Sequence, residues 1–211
     1  MQNRNKNTKR KAVFIGGGDI LSGKQDEIFL KLFSDFGSKS IKLLYLPFAL
    51  FGDDKKVNTM SDYMSLLEGY LCKLKNNLHF DWVSRGESQT NAVNKIKAAD
   101  IIFISGGDTE FLIDYLKRTG LIKEMSKFYE NGGIVIGNSA GCLALAHTGY
   151  SYFESKKKKY HGVGIIQNFI PAVHWKKEYK MEPEKENSNM IMLEENKGCI
   201  IVNDNDIKML N

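Results

Sequence analysis

The chain is poor in cysteine, with only Cys72, Cys142 and Cys199 in 211 residues. An odd number, so widely spaced, excludes a disulfide framework and a zinc knuckle and points to a reduced, cytoplasmic protein. Long apolar runs are missing as well. No stretch is long enough to span a bilayer, so no membrane partner is expected, and the first residues hold no signal-peptide core. Met1 to Lys9 is polar, and 1–10 is expected to be a disordered arm. Phosphate-binding motifs are absent. Gly16-Gly17-Gly18-Asp19 lacks the Gly-x-Gly-x-x-Gly spacing, and no Gly-Lys-Ser/Thr loop occurs, so a close-packed turn is the better reading. No His/Asp/Glu/Cys cluster has ligand spacing, so neither a metal nor another cofactor is expected. The net charge of +5 is modest and sits largely in Arg4, Lys6, Lys9, Arg10, Lys11 and the run Lys156 to Lys159. Without an aromatic-interleaved basic platform, such runs read as solvated loops, and no nucleic-acid partner is expected.

What the chain has is an ordinary globular composition and enough length for one α/β domain over 1–211, with no internal repeat or linker. Lys11 to Ile15, Ile41 to Pro47, Phe80 to Val83, Asp100 to Ile104, Ile134 to Ile136 and Cys199 to Val202 read as strands. Helical periodicity marks Asp26 to Phe36, Ser61 to Leu74, Thr90 to Ala98, Thr109 to Arg118 and Ile122 to Glu130. Tyr150 to Gly162 reads as a loop or hairpin, Gly164 to Phe169 as a strand, and Lys176 to Asn189 as a very polar stretch. Short apolar strands alternating with amphipathic helices predict a mostly parallel sheet covered on both faces. Strands that stop at glycines place ligand-handling loops at its carboxyl edge.

The most telling segment is Gly133 to Leu145, where three apolar residues run into Gly137-Asn138-Ser139-Ala140-Gly141 and a small apolar helix former follows. That is the layout of a nucleophile elbow, a sharp strand-to-helix turn that lifts a serine hydroxyl above the sheet edge. A strand–turn–helix junction with a serine N-cap is the plainer alternative, but it leaves both flanking glycines unexplained.

A serine hydroxyl needs a base within hydrogen-bond reach. Of the four histidines, His79 is expected at the surface before a strand and His147 at the end of the helix after Ser139. His161 lies beside the lysine run, and His174 follows an apolar stretch that would deliver it to a sheet edge. Position favours His174 over His161 by little, and a structural histidine remains an equal alternative. Acids after it are Glu178, Glu182, Glu184, Glu186, Glu194, Glu195, Asp204 and Asp206, of which Glu194 and Glu195 directly precede the turn into a strand. Oxyanion donors are offered by the N–H of Ala140 and by Gly106 and Gly107, with Asp108 also placed to cap the next helix.

Taken together, Lys11–Asp19 (KAVFIGGGD), Ile104–Thr109 (ISGGDT), Gly137–Gly141 (GNSAG), Gly162–Ile166 (GVGII) and Val173-His174 resemble the peptidase E/cyanophycinase family of serine peptidases over most of the chain. The resemblance implies a three-layer α/β/α, flavodoxin-like fold related to class I glutamine amidotransferases. It also implies metal-free hydrolysis of short peptides, as by a dipeptidase, in the cytoplasm. By it Ser139 is the nucleophile, His174 the base and Glu195 the third member, with Glu194 the neighbouring choice. Gly107 and Ala140 would form the oxyanion hole, and Gly106, Asp108 and Asn138 would contact a small peptide. The segment after His174 lacks the arginine-bearing pattern of aspartyl dipeptidases, which argues against strict specificity for N-terminal aspartate. The chain stops soon after the Cys199 strand, which argues against a further substrate wall and against cyanophycin as substrate. A homodimer is compatible with this reading. A non-peptide ester or amide hydrolase, an acyltransferase and a catalytically idle binding protein are the alternatives that a shared fold allows.

Overall fold

The computed structural model describes residues 10–179, 189–203 and 205–210. The expected arm therefore lies outside the described residues except for Arg10, whose carbonyl accepts a hydrogen bond from the Asn203 N–H. Most of the polar stretch between 176 and 189, with Glu182, Glu184 and Glu186, lies outside them too, as does Asp204.

Apolar runs that hold no polar face become the centre of the main sheet. Its parallel strands are β1 (Lys11–Ile15), β2 (Ile41–Leu46), β3 (Leu78–Trp82), β4 (Ile101–Ile104) and β5 (Ile134–Asn138). Two antiparallel strands, β10 (Gly198–Val202) and β11 (Asp206–Leu210), extend the β1 side, giving the order β11-β10-β1-β5-β4-β2-β3. The side chains of β4 and the first residues of β5 are buried throughout, as parallel strands covered on both faces require. Helices α1 (Asp26–Ser34) and α3 (Met60–Leu74) pack together, with the short α2 (Asp54–Asn58) before α3. A second group comprises α4 (Gln89–Ala98), α5 (Thr109–Thr119), α6 (Leu121–Glu130) and α7 (Ala140–Leu145). The result is the expected α/β/α arrangement with a mostly parallel sheet. No helix among the described residues is long and apolar enough to cross a membrane.

Strands β6 (Gly149–Ser151), β7 (Lys158–Tyr160), β8 (Ile170–Val173) and β9 (Met190–Leu193) form a second sheet in the order β7-β6-β8-β9. It was legible in the sequence only as the hairpin expected over Tyr150 to Gly162, which β6 and β7 form by antiparallel pairing. The expected strand over Gly164 to Phe169 is not formed, and the strand begins at Ile170. The earlier residues are committed elsewhere. Val163 N–H donates to Ala144, Gly164 N–H to Ala146 and Ile166 N–H to Leu145, so the segment closes the end of α7 instead. His79 is exposed as expected, but it lies within β3 rather than before it.

Candidate active site

Four strand ends converge on one spot. β1 and β5 run parallel with Ile15 opposite Asn138, and the Ile15 carbonyl accepts from the Ser139 N–H at 2.9 Å. β8 and β9 run parallel with Val173 opposite Leu193. The two sheets are tied where the His174 N–H donates to the Gly16 carbonyl at 2.9 Å.

Ser139 has φ 48° and ψ −106°, a conformation a non-glycine residue holds only when its surroundings enforce it. The enforcement is steric closeness. A Cβ on Gly137 would sit 2.5 Å from the backbone of Gly141, and one on Gly141 would sit 2.5 Å from the Ile104 carbonyl oxygen. Only glycine lets α7 come down on β5 this tightly. The N-cap alternative is ruled out, because the Ser139 side chain makes no capping bond to α7. Its Oγ lies 2.6 Å from His174 Nε2 instead.

His174 Nδ1 lies 3.1 Å from Glu195 Oε1. Glu195 is thus the acid brought to the imidazole, while the backbone carbonyl of Glu194 closes the turn by accepting from the Lys197 N–H. His147 and His161 are both exposed. The imidazole of His174 is largely buried, with 14 % of its side chain exposed, whereas Glu195 is 55 % exposed. His174 itself has φ 55°.

The glycine triplet after β1 is the close-packed turn expected, and it also builds the site. A Cβ on Gly17, where φ is 127°, would lie 2.3 Å from His174 Cε1. The Gly17 carbonyl accepts from the Asn196 N–H and from Nε2 of the fully buried Gln25. Sequence reasoning passed over Gln25 and Asn196, and no local pattern marks them. They fix the glycine loop against the Glu195 turn from behind.

A cavity of about 920 Å³ opens beside Ser139, lined by Gly106, Gly107, Asp108, Asn138 and His174 among others. The Ala140 N–H belongs to the first residue of α7 and so has no partner inside the helix. Gly107 has φ 137°, and a Cβ there would lie 2.6 Å from the Ala49 carbonyl oxygen. Asp108 caps α5 by accepting from the Phe111 N–H at 2.9 Å. Asn138 is 4 % exposed. Its Nδ2 donates to the Gly18 carbonyl at 3.3 Å, and its buried Oδ1 has no protein partner among the described residues. Deeper in the cavity wall, burial pushes the Tyr45 hydroxyl well above the usual phenol range, and Tyr63 upward as well. Below the elbow the Cys142 thiol is enclosed, its one S–H within reach of the Gly137 and Ile15 carbonyl oxygens, and burial raises it well above an ordinary thiol. No group of three metal-ligating side chains occurs among the described residues.

The arrangement can activate a hydroxyl by proton transfer to an imidazole that is itself oriented by a carboxylate. Comparison with known proteins points the same way. The model for the family described as Peptidase family S51 matches residues 10–210. An uncharacterized peptidase, Lmo0363, of Listeria monocytogenes serovar 1/2a is 39 % identical over 57 residues, 27 % of this chain and 28 % of that protein's length. The chain thus spans well under half of the curated relative it matches. Among solved structures, a peptidase from an acI-B1 Actinobacterium superposes with a TM-score of 0.73 at 21 % identity, covering 97 % of this chain and 88 % of that one. A candidate Peptidase E protein from Listeria monocytogenes EGD-e gives a TM-score of 0.67 at 20 % identity, covering 96 % and 98 %. At that identity the two structures bear on the fold alone.

Proposed function

The chain belongs to peptidase family S51, and from that premise we propose that it is a serine peptidase that hydrolyses short peptides, dipeptides in particular, through Ser139, His174 and Glu195. The observation that carries this reading is the continuous relay of Ser139 Oγ to His174 Nε2 at 2.6 Å and His174 Nδ1 to Glu195 Oε1 at 3.1 Å. Ser139 attacks the scissile carbonyl while His174 accepts its proton. Glu195 holds the Nδ1–H tautomer and stabilises the imidazolium that forms. The negative charge that develops on the carbonyl oxygen is received by the N–H groups of Ala140 and Gly107. His174 then gives its proton to the leaving amine, and water attacks the acyl-enzyme by the same route.

A binding protein that had lost its activity would have no need to keep the imidazole in reach of the hydroxyl, and the 2.6 Å contact favours catalysis. The preference for short peptides is supported by a cleft of about 920 Å³ beside Ser139, a volume that suits a small ligand. The test is intact mass spectrometry after treatment with a fluorophosphonate, beside Ser139→Ala, followed by a dipeptide panel and a panel of simple esters and amides. A single adduct lost in the variant, with cleavage of dipeptides, supports the reading. Turnover of esters or amides without peptides would replace it with a non-peptide hydrolase or acyltransferase, and no adduct would remove the activated serine.

A further inference from the structure

Several large apolar side chains are exposed among the described residues, but of these only Phe153 lines the catalytic cavity. It is 58 % exposed, yet its ring meets the edge of the His174 imidazole at 5.3 Å between centroids and 69° between planes. The surrounding hairpin holds this position firmly. Tyr152 N–H donates to the Val173 carbonyl at 3.0 Å, next to His174. The Tyr152 ring stacks on Tyr179 at 5.8 Å, and the Ser155 hydroxyl lies 3.2 Å from the Tyr179 hydroxyl. Glu154 and Ser155 both adopt left-handed backbone, with φ 52° and 63°. Residues with side chains keep such conformations at a cost, commonly at functional sites. The hairpin thus fixes an apolar ring beside the imidazole, on the lining of the cavity, while leaving more than half of the residue exposed.

Chemistry identifies which part of a substrate lies there. The imidazole that takes the Ser139 proton must deliver it to the leaving amine, so that amine stands within hydrogen-bond reach of His174 Nε2. The side chain of the leaving residue is then a few ångströms further on, at the distance of the Phe153 ring. On the reading that Ser139 and His174 are catalytic, we propose that Phe153 forms the leaving-residue subsite and selects an apolar or aromatic side chain on the amine product. Phe153 is a specificity residue here, with no part in proton transfer.

The preference can be read without knowing which acyl side the enzyme accepts. p-Nitrophenyl acetate acetylates Ser139 with release of p-nitrophenolate, and an added amino-acid amide then competes with water for the acetyl group. The amine nitrogen bonds to the acetyl carbon and the bond to Ser139 Oγ breaks. His174 takes the proton from the amine and returns one to Oγ. Leu-NH2 and Phe-NH2 are expected to intercept the acyl-enzyme about five- to tenfold better than Gly-NH2, the scale of discrimination a small apolar pocket provides. Phe153→Ala is expected to bring that ratio close to one, and Phe153→Leu to keep the preference for Leu-NH2. Equal interception by all three amides in the wild type overturns the proposal. So does a Phe153→Ala enzyme that acetylates more slowly while its ratio stays unchanged, because Phe153 would then only support His174. Failure of acetylation at Ser139 would instead count against the hydrolase reading. In that case binding of the same amides, followed by saturation-transfer NMR on wild type and Phe153→Ala, decides the subsite, and equal binding to both overturns it.

Discussion

Val173 and Leu193 stand opposite each other in a parallel strand pair, and that register is what brings His174 and Glu195 together. Each strand runs out at the same level, so the residues just beyond the two ends share one corner of the molecule. A shift of one residue would present Glu194 or a backbone turn to the imidazole instead. The identity of the acid is therefore set by strand pairing between segments far apart in sequence.

Glu195→Gln should lower kcat by roughly 10²–10⁴-fold while KM changes little, because it removes the group that selects the imidazole tautomer and stabilises its cation. Glu194→Gln should stay within about threefold of wild type. Steady-state kinetics on the best dipeptide substrate check both, and the reverse ranking would move the acid to Glu194. Thermal melting should be nearly unchanged in each, since Glu195 is more than half exposed.

Gly17→Ala should disable the enzyme while leaving Ser139, His174 and Glu195 themselves unsubstituted. The new Cβ would lie 2.3 Å from His174 Cε1 at a backbone φ of 127° that alanine disfavours. The imidazole has to move, and a misplacement of about 1 Å can cost on the order of 100-fold in rate. Loss of turnover, together with loss of fluorophosphonate labelling at Ser139 in folded protein, is the expected result. Labelling at the wild-type rate would show that His174 has room to stay in place.

The main sheet and the elbow were legible because both are local signals. β1 and β4 are short apolar runs that end in glycine turns, and Gly137 and Gly141 flank the serine at the spacing that close helix–strand contact demands. Beyond the β6–β7 hairpin the second sheet was not legible, because its strands are three or four residues long and alternate poorly. Gly164 to Phe169 looked like a strand from its apolar content, but the N–H groups of Gly164 and Ile166 are used to close α7. Gln25 and Asn196 carry no chemical signature in sequence, and their roles arise only where the two sheets meet. Phe153 was hidden in a stretch dominated by lysines.

Asn138→Ala should raise KM more than it lowers kcat. The carboxamide is buried against the cavity, with its nitrogen bonded to the Gly18 carbonyl and its oxygen left without a protein partner. A buried polar atom without a partner costs roughly 1–3 kcal/mol until something donates to it, and a substrate N–H can supply that bond. Removing the side chain should weaken dipeptide binding by about tenfold while leaving fluorophosphonate labelling of Ser139 within a few-fold of wild type. Calorimetric binding of a dipeptide to Ser139→Ala, with and without Asn138→Ala, isolates the effect from turnover. Equal affinities would confine Asn138 to holding the glycine loop.

Stability should fall in alkali in a way that traces to the buried thiols. Burial pushes Cys199 from an unfolded value near 9.0 up to about 12, and raises Cys142 in the same direction. Between these limits the unfolded chain has lost its thiol protons while the folded chain keeps them, so unfolding releases protons and becomes easier as pH rises. The thiol contribution is therefore complete below about pH 9 and lost progressively on the way to 12. Each unit of difference is worth about 1.4 kcal/mol, so Cys199 alone accounts for a few kcal/mol over that span. Urea melts at pH 7, 9 and 10.5 should show a falling midpoint, with Cys199→Ala losing distinctly less between pH 9 and 10.5 than wild type. Below pH 9 the same variant should instead be less stable than wild type, since its alanine leaves a small void beside β1. A wild-type midpoint that stays flat from pH 9 to 10.5 would show that neither thiol is as enclosed as its position in the sheet and under the elbow implies.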